Sequence, residues 1–107
     1  MENSRDLDAQ LAAIRWLSGM SPNEIRLHYE LGRLLLKKNE PDAAIAELQW
    51  ALGNEKYPLA NCELGRALES KGDLKAALEQ YRRAFQSGVR DEQCLSAYER
   101  LQLQVEN

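Results

Sequence analysis

Residues Glu30 to Leu52, ELGRLLLKKNEPDAAIAELQWAL, are written again at Glu63 to Phe85 as ELGRALESKGDLKAALEQYRRAF, without a gap and at a spacing of 33 residues. Glu, Leu, Gly, Arg, Leu, Lys and three alanines recur at equivalent places. An ungapped repeat of this length is one supersecondary unit used twice, and each unit must bury its apolar face against a neighbour. Apolar residues recur at helical spacing throughout, and no stretch alternates as a half-buried strand does. An all-α chain of about six helices is expected.

The bulk numbers fit a single domain over residues 1–107: 44% of residues are hydrophobic, 29% charged, and glycine and proline are few. A net charge of -3 offers no basic field for a phosphate backbone, so no nucleic-acid partner is expected. Runs such as Leu34-Leu35-Leu36 are far below the roughly 18 apolar residues that span a bilayer, so no membrane insertion is expected. The opening MENSRDLDAQ lacks the layout of a signal peptide, and a cytoplasmic location follows as an expectation. Cys62 and Cys94 lie far apart with no Cys-x-x-Cys pair, which reads as buried or half-buried thiols in a reducing compartment rather than a disulfide. With one histidine and no Cys/His cluster, neither a metal nor another cofactor is expected.

Punctuation divides the chain into an N-terminal helix at 1–20, repeat one at 22–54, repeat two at 58–88 and a capping helix at 91–105. Asn3 or Ser4 can cap the first helix, whose stripe is Leu7, Leu11, Ile14 and Leu17, with Gly19 as its stop. Ser21, Pro22 and Glu24 read as N-cap, first helical residue and capping box of the next. Asn39 and Gly72 occupy equivalent positions and supply left-handed stops, followed by Pro41 and by Asp73 as an N-cap. Pro58 opens another helix, Gly53 and Gly88 lie near helix exits, and Asp91 caps a last helix carrying Cys94, Tyr98, Leu101 and Val105.

His28, Leu31, Gly32, Leu35, Ala44, Leu48 and Ala51 in the first copy, and Asn61, Leu64, Gly65, Leu68, Ala77, Tyr81 and Ala84 in the second, carry the spacing W-x2-L-G-x2-Y followed by A-x3-F-x2-A. The chain thereby resembles the tetratricopeptide repeat (TPR) family from about Leu11 to Leu101, with the first helix as a degenerate second half of an earlier repeat. The resemblance implies a right-handed α-α superhelix, a solenoid of antiparallel helices. Physical reasoning agrees: Gly32 and Gly65 sit mid-helix, where glycine costs about 1 kcal/mol against alanine, and close approach of the partner helix offsets that loss. His28 and Asn61 stand where the family prefers tryptophan. Tyr98 stands where a third repeat would have glycine, so the last helix reads as a cap.

Stepping about 100° per residue from Leu31 places Arg26, Tyr29, Arg33 and Leu36 opposite the buried face, and the same step in the second copy gives Leu59, Cys62, Arg66 and Glu69. The resemblance implies that these eight residues line a concave groove that binds a protein or peptide partner. Arg33 and Arg66 are equivalent and would lie side by side, where their forked donors suit an acidic partner. The other reading of the two arginines is a solvated face paired with Glu30, Glu63 or Glu69. The family's carboxylate clamp for chaperone tails needs a lysine and two asparagines; the matching positions carry Tyr29, Arg33 and Glu63, so a chaperone-tail receptor is not expected.

Trp16 and Trp50 fall on the outer side of second-half helices. They are either convex anchors for a partner or a homodimer, or rings half-buried at the edge of a stripe. Cys62 beside Arg66 is either a reactive thiol or a packing residue. His28 reads as a hydrogen-bonded structural residue, since no nucleophile and carboxylate are written around it. The function expected is non-enzymatic: an adaptor, scaffold or chaperone-like module, with a self-associating structural subunit as the alternative.

Overall fold

The computed structural model describes residues 4–54 and 57–106. Six helices follow one another: α1 (Ser4–Met20), α2 (Ile25–Lys37), α3 (Pro41–Asn54), α4 (Pro58–Ser70), α5 (Leu74–Gln86) and α6 (Glu92–Glu106). Each packs on the next, and α2 also touches α4, so the first helices of the two repeats share one side of a stack measuring 45 × 30 × 21 Å. This is the all-α helical-repeat solenoid that the spacing predicts. Among the described residues no helix is long and apolar enough to cross a membrane.

The repeat is held by paired devices that recur at the same offset. A Cβ built on Gly32 would lie 2.6 Å from Leu48 Cγ, and one on Gly65 would lie 2.6 Å from Tyr81 Cε1, so each mid-helix glycine admits a large side chain of the opposing helix. Leu48, Tyr81 and the alanines Ala44, Ala51, Ala77 and Ala84 are all fully buried. His28 and Asn61, the departures from tryptophan, each bring a partner 19 residues on. His28 Nδ1 lies 2.7 Å from Glu47 Oε2, and Asn61 Nδ2 donates to Gln80 Oε1 at 2.9 Å. A polar bond thus bridges both hairpins where the family pattern places a ring.

The left-handed stops expected at Asn39 and Gly72 are present, with φ 66° and 85°, and Gly88, expected only near a helix exit, also takes a positive φ of 99°. Asp73 accepts from the Ala76 amide at 3.4 Å, and Asp91 accepts from the Cys94 amide at 2.8 Å, as N-caps do. Other expectations fail. Gly19 does not stop α1, which continues to Met20; of the proposed caps Asn3 lies outside the described residues. Ser21 to Glu24 form no capping box: α2 begins at Ile25, Glu24 is its N-cap without a side-chain cap bond, and the Glu24 amide donates to the Ser21 carbonyl at 3.1 Å. Ser, Pro and Asn at the first three positions are also the signature of a β-turn, and here the turn wins. His28 Nε2, 2.7 Å from the Pro22 carbonyl oxygen, fastens that turn to the first hairpin.

The largest departure is covalent. Cys62 of α4 and Cys94 of α6 form a disulfide with Cα atoms 5.9 Å apart, where the sequence reads as two thiols. The 32-residue separation hides the pairing, because only the stacking of α6 beside α4 brings the two together. Free thiols therefore no longer support a cytoplasmic location, since structural disulfides are rare in reducing compartments.

Candidate functional site

The first turns of α2, α4 and the residues leading into α6 lie along one edge of the stack, and neither α2 nor α4 carries an acidic residue in its first turn. Between these helices opens a cavity of about 540 Å³ lined by Arg26, Tyr29, Glu30, Arg33, Tyr57, Leu59, Glu63, Arg66, Asp91 and Gln93. It continues past Leu36, Lys37 and Ser70 toward the far ends of α2 and α4. Six of the eight residues expected in a groove, Arg26, Tyr29, Arg33, Leu36, Leu59 and Arg66, border this concavity.

Cys62 and Glu69 do not. Cys62 is only 3% exposed and is consumed in the disulfide, which excludes a reactive groove thiol. Glu69 turns toward the later helices: it accepts from the Tyr81 hydroxyl at 3.0 Å and pairs with Arg100 at 2.6 Å, tying α4 to α5 and α6. Burial, followed by the charge and hydrogen bond of Glu69, pushes the Tyr81 hydroxyl above its ordinary range.

Both equivalent arginines are engaged from their own helix. Arg33 donates through Nε and Nη2 to Glu30 Oε2 at 3.2 and 2.8 Å. Arg66 Nη1 donates to Glu63 Oε1 at 2.8 Å, while its Nη2 reaches Asp91 Oδ1 at 3.5 Å and Gln93 Oε1 at 3.3 Å. Of the two sequence readings, this arrangement is the paired one. Glu63 is buried on the groove floor, and burial raises its carboxyl above the ordinary range against the opposing pull of Arg66 and Arg33. Tyr29 meets Tyr57 edge to face with centroids 5.2 Å apart, and burial, then the nearby Glu63, pushes its hydroxyl up to about 12.

The eight residues expected in the groove leave out Tyr57, Asp91 and Gln93, and Glu30 and Glu63 enter the sequence reading only as partners of the arginines and, for Glu63, as a clamp position. Glu30 and Glu63 precede the groove arginines by one turn, a signal present in the repeat itself. Asp91 and Gln93 carry no such signal, because their place depends on how α6 stacks. An apolar cleft of about 430 Å³, bordered by Phe85, Leu95 and Tyr98, opens between α5 and α6 and was also unforeseen.

The tryptophans part company. Trp50 is half-buried and stacks on His28 with centroids 3.8 Å apart, whereas Trp16 is 66% exposed beside Leu17 and Met20. The His28 ring, held by Glu47, Pro22 and Trp50, is placed as a structural residue.

Comparison with known proteins is consistent with this geometry. The family model described as Tetratricopeptide repeat matches residues 29–88, more than half of the chain. A crystal structure of MamA superposes with a TM-score of 0.83 at 18% identity, covering 96% of this chain, and this chain spans 61% of that one. At that identity the likeness is one of fold. No curated protein matches the sequence.

Proposed function

The chain belongs to the tetratricopeptide repeat family, and from that premise we propose that it is a non-enzymatic protein-interaction module, an adaptor or scaffold that holds a peptide segment of a partner in its concave groove. The observation that carries this reading is the cavity bordered by both repeats, which combines apolar contact from Tyr29, Leu36, Tyr57 and Leu59 with oriented polar groups. Its charges are largely matched internally, so an extended segment of mixed character fits it better than a uniformly acidic one.

The test is selection from a random peptide library against the full chain, with binding mapped by amide chemical shifts of labelled protein. Shifts at Tyr29, Arg33, Leu59 and Arg66 are expected. A second reading, self-association, is favoured by exposed Trp16, Leu17 and Met20 at 66%, 42% and 66%. Shifts confined to those residues and growing with protein concentration without peptide would favour it and remove the groove reading.

A further inference from the structure

Resting on the groove reading, we propose that one end of the groove is a two-part subsite in which Arg26 takes an acidic side chain of the partner while Tyr29, Tyr57 and Leu59 take an apolar side chain next to it. The cations bordering the groove differ in what already holds them. Arg33 is engaged by Glu30, and Arg66 by Glu63, Asp91 and Gln93, so a carboxylate arriving at either must displace one already there and gains no new pair. Arg26 borders the same cavity, is exposed, and makes no ion pair or side-chain hydrogen bond with any described residue. A carboxylate there forms a charge-assisted bond at no such cost.

The apolar half lies beside it for a reason written in the repeat. Advancing Arg26 by the 33-residue spacing gives Leu59, so the same register position carries a cation on α2 and an aliphatic side chain on the adjacent α4. Leu59 is 44% exposed, and the edge-to-face pair of Tyr29 and Tyr57 stands with it around the cavity. Two copies of one scaffold thus present two different chemistries side by side, and a ligand must match both.

Spacing sets the order of groups in the partner. Arg26 and Tyr29 are one helical turn apart, with about 5–6 Å between Cβ atoms. In an extended segment, side chains on the same face are two residues and roughly 6.6 Å apart. The partner motif is therefore an apolar or aromatic residue and an Asp or Glu separated by one residue.

The probe is a random peptide library with amidated carboxyl termini, so that the only carboxylates offered are side chains. Enriched groove binders are expected to carry the spaced pair, and replacing the acid by its amide should weaken binding about tenfold. In Arg26→Gln that tenfold difference should vanish, and in Arg26→Lys part of it should return. Groove binders without acid preference, or a preference that survives in Arg26→Gln, would overturn the subsite and leave the groove reading standing. A library yielding no groove binder removes both.

Discussion

A methyl group on Gly65 would stand 2.6, 2.8 and 2.9 Å from three ring carbons of Tyr81, a residue that is fully buried and tied by its hydroxyl to Glu69. Alanine is the better helix former by about 1 kcal/mol, yet the ring has no room to retreat. Gly65→Ala is expected to destabilise the protein by about 1–3 kcal/mol, the range of overpacked cores. Thermal unfolding checks this, and an unchanged or raised midpoint would contradict the close-approach argument. Glu63 gives a second expectation. Its folded-state carboxyl is raised chiefly by burial, so the folded protein binds that proton more tightly than the unfolded chain does. The resulting stability is complete below the ordinary carboxylate range and is lost as pH rises through the raised value. Glu63→Gln should flatten that part of the melting-temperature profile across mildly acidic pH, whereas an unaltered slope would assign it to other groups.

Helices and their stops were legible because they are local: Asn39 and Gly72 at one register position, Asp73 and Asp91 before apolar stripes, and the mid-helix glycines each announce a backbone requirement. The misreadings were also local. Ser21-Pro22-Asn23-Glu24 serves two patterns equally well, and the contact of His28 with the Pro22 carbonyl, made from the hairpin below, accompanies the turn. Pairings across elements were not read from the sequence, although the repeat doubles two of them. His28 with Glu47 and Asn61 with Gln80 share one offset, while Cys62 with Cys94 has no second copy. The bond ties α6 directly to α4, although α6 packs mainly on α5. Reduction, or Cys62→Ser with Cys94→Ser, is expected to remove about 4 kcal/mol, the loop-closure effect for a 32-residue separation. Equal melting midpoints with and without reductant would show that the covalent tie adds nothing to the packing.

At the scale of the whole molecule, the stacked helix hairpins follow from a period that any reader of the sequence can count, and the concave side is what the family resemblance implies. The helical step puts Arg26, Tyr29, Arg33, Leu36, Leu59 and Arg66 on one face, and all six border the concavity, since first helices that stack side by side turn the same face outward. It failed at Cys62 and Glu69, which lie on the flank of α4 that α6 covers. A rotation angle taken from one helix cannot register a neighbour that arrives later in the chain. The disulfide gives the molecule a mechanical character as well. Tension applied at the two termini would pass from α4 to α6 through sulfur, leaving α5 and the Tyr81 core unloaded. The 32-residue separation of the cysteines corresponds to about 110 Å of extended chain at about 3.3–3.6 Å per residue. That length stays hidden from the pull while α1, α2 and α3 yield first.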